Sequence, residues 1–206
     1  MNRPIRTRRR MSRADRERQM LDVAEEVFAE QGYRAASMDD IAERVGVSKP
    51  MLYEYFGSKD GLLSACATRI RTELYDATQA AMAEAGSPED VLWRGLLAYF
   101  TFMERHSQAM AVIAQEPMVI PAATADAIEA TRRQQSGLTA TLLAAFAPSA
   151  PPRAVEAYSE IIIGACERVS LWLARHPEVS AEEAARHVMD FSWSGLRSLM
   201  PPPAGD

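Results

Sequence analysis

At 206 residues the chain can bury a core without metals or disulfides, and a 48% hydrophobic content rich in Ala, Leu and Met favours helices over sheet. The net charge is −5, yet residues 1–20 hold eight Arg against Asp15 and Glu17, a local +6 that leaves −11 for the remainder, so a basic end sits on an acidic body. The basic start has no apolar segment behind it, and the longest uncharged stretch, residues 134–152, contains three prolines; a secretory signal and a membrane span are both excluded from the reading.

The first helix is expected from Ser12 to Gln31, with Met20, Val23, Ala24, Val27 and Phe28 on one face and Gly32 as its stop. The second opens at "SMDDIAERVG": Ser37 is the N-cap, Asp39 and Asp40 occupy the first turn, and Gly46 follows the last residue. The third follows at once, because Ser48 can cap it and Pro50 lies in the first turn, where a missing N–H does no harm. A long fourth helix runs from about Ser58 to about Glu84, and a fifth is capped by Ser87, with Pro88 at its first position. Four more are expected at 107–116, 123–146, 152–175 and 180–199, the last with a capping box of Ser180 and Glu183. No strand signal appears, so the fold class is all-α with about nine helices.

Two short helices joined by a Gly-containing turn are the signature of a helix-turn-helix. Ile41, Val45, Val47, Leu52 and Phe56 would lock the pair together, leaving Lys49, Pro50 and Tyr53 on the opposite face, where they would enter a major groove. Phe56 is assigned to the core and Tyr53 to the surface, while Tyr55 remains open between the two.

The segment "SMDDIAERVGVSKPMLYEYFGSKDGLL" resembles the DNA-binding part of the tetracycline-repressor (TetR) family of bacterial transcriptional regulators, and the upstream "VAEEVFAEQGY" resembles that family's first helix. The resemblance implies residues 1–11 as a disordered basic arm, 12–57 as the DNA-binding domain, 58–200 as a helical ligand-binding and dimerisation domain, and 201–206 as a disordered tail. It implies double-stranded DNA, a small-molecule effector and a second copy of the chain as partners, a cytoplasmic location, and no cofactor. The implied activity is that of a repressor released from an inverted-repeat operator by a small apolar effector. The alternative is a helical small-molecule binding protein whose DNA binding is weak or vestigial.

Carried over position by position, Ser37 and Ser48 fall at helix starts suited to phosphate, Lys49 at a base-reading position, and Pro50 where it could meet a thymine methyl. Tyr53 and Tyr55 match phosphate-touching rings, and Lys59 matches the lysine that opens the fourth helix and binds phosphate. Met51 either contacts DNA or packs, and Asp39, where many members carry a basic or polar residue, puts a base contact from the second helix in doubt. Arg8, Arg9 and Arg10 belong to the arm, expected to follow the DNA backbone or enter the minor groove.

In the body, Tyr158, Ile162, Ala165, Val169 and Trp172 follow a coiled-coil-like spacing, as do Val188, Phe191, Gly195 and Leu199; these are either ordinary core or, by the resemblance, the dimer interface. Trp93, Leu97, Phe100, Met103, Met110 and Met118 are either plain core or a ligand lining. The cysteines Cys66 and Cys166 read as buried apolar residues of a reduced, intracellular protein. The three histidines form no metal or nucleophile motif, and with no other catalytic signature the chain reads as a non-enzyme.

Overall fold

The computed structural model describes residues 11–106 and 122–196. Among these, every regular element is a helix: α1 (Arg13–Ala35), α2 (Met38–Val45), α3 (Lys49–Phe56), α4 (Lys59–Ala83), α5 (Pro88–Arg105), α6 (Ala122–Phe146), α7 (Pro152–Leu173) and α8 (Ala181–Leu196). The helix expected at 107–116, with Met110 and Met118 near it, lies outside the described residues, as do Arg8, Arg9, Arg10 and Leu199. Two compact units result, one ending at Cys66 and the other beginning at Ala67, so the division falls within α4.

Local chemistry sets most of the boundaries. The hydroxyls of Ser12, Ser37, Ser87 and Ser180 accept the backbone N–H groups of Asp15 (3.0 Å), Asp40 (3.1 Å), Asp90 (3.2 Å) and Glu183 (3.1 Å), each three residues on. Ser58 does the same for Gly61 at 2.9 Å, satisfying donors that a helix start leaves unpaired. Ser48 departs from this pattern, since its hydroxyl caps nothing. Pro50 has removed one amide donor, and the Met51 N–H bonds the Ser48 carbonyl at 3.0 Å instead. Gly46 ends α2 in the left-handed region (φ 76°, ψ 37°), and its N–H and that of Val47 both return to the Ala42 carbonyl at 3.0 Å.

In the first unit α1 supplies Met20, Ala24, Val27 and Phe28, α2 supplies Met38, Ile41, Ala42 and Val45, and α3 contributes Leu52, fully buried. Leu62, Leu63 and Cys66 from the start of α4 close this core. Polar ties hold α1 to α2: Arg44 pairs with Glu30 at 2.7 Å, and the Gln19 amide reaches the Val45 carbonyl at 3.5 Å. Gly61 is needed where it stands, because a Cβ there would lie 2.0 Å from the Phe56 carbonyl oxygen.

In the second unit α5 packs most extensively against α8, and α6 against α7. Ala181, Ala184 and Ala185 let α8 approach closely, around Phe100, which is fully buried, with Leu74, Leu96, Tyr99, Ile162, Cys166 and Val188. Ile162 and Val188, expected as alternatives between core and dimer seam, lie in the core of their own chain. Tyr158, Ala165 and Val169 pack part-buried against that core, and Tyr158 comes within 3.5 Å of the position a Gly195 Cβ would take. The outward apolar residues here are Phe191, 75% exposed, with Ile161 and Leu171.

Candidate nucleic-acid interface and effector cavity

With Leu52 anchored inside, the rotation of α3 is fixed, and Lys49, Pro50, Met51 and Tyr53 are exposed. Phe56, assigned to the core, is only half-buried; it is the last residue of α3, beside the Gly57 turn, and its ring lies 6.0 Å from that of Tyr55. Tyr55 is half-buried too, with the Arg13 guanidinium 5.0 Å from its ring centre, so this ring is sandwiched by its own unit while Tyr53 stands clear.

Lys49 is not idle on this face. Its ammonium lies 2.8 Å from the Asp39 carboxylate, linking the start of α3 to the first turn of α2, and that hydrogen bond raises the Lys49 pKa above its ordinary value. Both side chains are substantially exposed, so the pair is held loosely enough to exchange partners.

Lys59 is placed differently from expectation. Its Nζ donates to the carbonyls of Tyr33 (2.8 Å), Arg34 (3.4 Å) and Ala36 (3.0 Å) and lies 4.4 Å from the Tyr33 ring centre. The ammonium therefore caps the carbonyl-rich end of α1. The Tyr33 hydroxyl donates to Asp60, and burial followed by that bond pushes its pKa up to about 12. This knot was not expected from the sequence, because the partners of Lys59 lie at the end of a different helix. Lys59→Ala is expected to destabilise the first unit by about 1–3 kcal/mol through orphaned carbonyls, which denaturant titration of the purified chain would read.

The second unit holds a cavity of about 80 Å³, bounded by α4 to α8, with a lining mainly of Val, Leu, Ile and Phe. From α5 it takes Pro88, Val91, Leu92, Gly95, Leu96 and Tyr99, and none of Trp93, Leu97, Phe100 or Met103. Those four instead pack into the core or against it, because α5 is apolar around most of its circumference and its other side meets α8. Gln135, Trp193 and Tyr99 bring polar atoms to the lining, and the buried Trp193 indole nitrogen has no hydrogen-bond partner. Among the described residues no cluster of His, Cys, Asp or Glu could hold a metal, and no helix is long and apolar enough to cross a membrane.

Residues 20–66 match the profile of bacterial regulatory proteins of the tetR family, and residues 88–195 match that of the tetracyclin repressor-like C-terminal domain. The chain belongs to the tetR family. It is 28% identical over 187 residues to the HTH-type transcriptional activator FasR of Mycolicibacterium smegmatis, covering 91% of this chain and 85% of that protein. It is 33% identical over 111 residues, 53% of each chain, to the HTH-type transcriptional repressor Rv3405c of Mycobacterium tuberculosis. Among solved structures, a TetR-like transcriptional regulator from Rhodococcus sp. RHA1 is 34% identical with a TM-score of 0.71, over 91% of this chain and 99% of that one. FadR of Bacillus subtilis, solved with stearoyl-CoA, shares the fold at 17% identity and TM-score 0.74, over 86% of this chain and 98% of that one. As a helix-turn-helix regulator of the tetR family, the chain has α2 and α3 as its DNA-binding pair and a helical C-terminal domain of the ligand-binding type.

Proposed function

We propose that this tetR-family regulator acts as a homodimer on an inverted-repeat operator, with Lys49 reading a guanine edge and Pro50 and Met51 meeting apolar groups in the major groove. Tyr53, with the Ser37 and Ser48 hydroxyls, would take the flanking phosphates, Ser48 being suited because its hydroxyl is not used as a cap. The observation that carries this reading is the outward row Lys49, Pro50, Met51 and Tyr53 on a helix locked by the buried Leu52. A polyanion partner also suits the +6 charge of residues 1–20.

Dimerisation would use the outer surfaces of α7 and α8, where Phe191 and Ile161 are exposed and Tyr158 and Trp172 are half-buried. An effector of largely apolar character would occupy the cavity of the second unit and release the DNA, a reading supported by the lining and by the acyl-CoA carried by the FadR neighbour. Relatives include both an activator and a repressor. We favour repression, and the position of the operator relative to the promoter decides the sign.

Selection of bound fragments from genomic DNA tests the reading: it should return one inverted repeat with half-sites about one helical turn apart, and enrichment without any shared motif would refute it. A chain lacking residues 1–10, which carry five of the arginines, is expected to bind all duplexes more weakly and to lose part of its salt dependence, about 0.9 in slope for each phosphate contact given up. Titration at several salt concentrations checks this.

A further inference from the structure

The lining of the second unit's cavity determines which chemistry it suits. Among the described residues that line it there is no Asp, Glu, Lys, Arg or His. The two weakly acidic groups present stay neutral: burial pushes the Cys166 thiol up to about 12 and raises the Tyr99 hydroxyl above its ordinary value. An ionised ligand group placed there would lose its water and meet no countercharge, at a cost above what hydrocarbon contacts return.

The polar atoms of the lining are few, and most are engaged. The Thr78 hydroxyl donates to the Leu74 and Tyr75 carbonyls, both at 2.9 Å, and the Thr139 hydroxyl donates to the Gln135 carbonyl at 3.0 Å. The Tyr99 hydroxyl is hydrogen-bonded to Ser170. Trp193 differs. Its indole Nε1 is buried from water and has no hydrogen-bond partner, and an indole can only donate. A buried donor without an acceptor is costly, and such groups are rare in folded proteins. The cavity, of about 80 Å³, also has an adjustable wall: the Met82 sulfur lies over Gly95, 2.9 Å from where a Cβ would stand, and a methionine side chain can repack around a guest.

We propose that the effector is an uncharged carbonyl compound, whose oxygen accepts the Trp193 Nε1–H while its hydrocarbon fills the cavity. This rests on the reading of the second unit as an effector domain, and it adds the chemical class of that effector. An occupied site gives the indole its missing acceptor, and the rest of the lining suits hydrocarbon.

The test is a titration of the isotope-labelled full chain, followed by the indole N–H resonances of its three tryptophans, assigned in the unaltered chain. The probes are cyclohexanone, methylenecyclohexane, which has the same shape with a CH₂ group in place of the oxygen, and cyclohexanecarboxylate. Cyclohexanone is expected to move the Trp193 resonance downfield, and methylenecyclohexane to bind without doing so. Trp193→Phe should cut the preference for ketone over alkene, taken as the ratio of the two Kd values, by about tenfold. Cyclohexanecarboxylate at neutral pH should bind at least about a hundredfold more weakly than cyclohexanone. A Trp193 resonance that cyclohexanone leaves in place, or a ratio unchanged in Trp193→Phe, would overturn the indole contact and leave the effector domain standing. Carboxylate binding as tight as that of the ketone would overturn the uncharged class and leave the domain standing too. Binding of none of the three would overturn both.

Discussion

Leu52→Ala should abolish operator binding while leaving most of the helix content in place. Leu52 is fully buried at the centre of the first unit, and truncating a buried leucine costs about 2–5 kcal/mol through lost burial and the cavity left behind. The unit up to Cys66 is small, and domains of that size are marginally stable, so a loss of this order is comparable to everything that holds it folded. Leu52 is the one fully buried residue of α3, three residues after Lys49 and one before Tyr53, so its inward direction sets the outward direction of both. Circular dichroism and operator titration on the same sample would show loss of specific binding with a partial decrease in helix signal, confined to the share that the first unit carries. Unchanged operator affinity would mean that the orientation of α3 is held by something other than this core.

Lys49→Ala should relax base preference by about ten- to a hundredfold at one position of each half-site, the range expected for loss of a good base-edge contact. Tyr53→Phe, by contrast, should weaken binding about equally on all sequences if its hydroxyl meets phosphate. The Asp39 pair makes the lysine prediction more specific. Because the Lys49 ammonium is hydrogen-bonded to Asp39 at 2.8 Å, reaching a base requires it to share or leave that carboxylate, which also repels phosphate. Asp39→Asn should therefore tighten DNA binding several-fold, and the two substitutions should be non-additive in a double-mutant cycle. Additive effects would show that the pair plays no part in the bound state; weaker binding by Asp39→Asn would show that the carboxylate itself contacts DNA, as an acceptor for a cytosine amino group can.

Those residues also show how far the sequence reaches. Ser37, Ser58, Ser87 and Gly46 were readable because a cap or a left-handed stop is settled within four residues of chain; Gly32, expected to end the first helix, has a positive φ of 76° but stands as a kink inside α1, which runs on to Ala35. The division of α3 into Leu52 inside and Lys49 and Tyr53 outside was readable because eight residues allow only one buried face. Lys59 was not, since its carbonyl partners lie 23 to 26 residues away, at the end of α1. Nor was the cavity face of α5: Trp93, Leu97, Phe100 and Met103 are as apolar as Val91, Leu92 and Leu96, and only the neighbours of a helix decide which apolar side meets a void. The same limit explains Ile162 and Val188, whose heptad-like spacing suits a chain's own core as well as a seam between copies.

Whether the exposed row on α3 reads a sequence is decided by one ratio: the affinity of the intact chain for its selected inverted repeat over that for a scrambled duplex of equal length, at physiological salt. A ratio of about a thousandfold or more is expected, falling towards one when Lys49 is replaced by Ala. A ratio near one for the unaltered chain would contradict it.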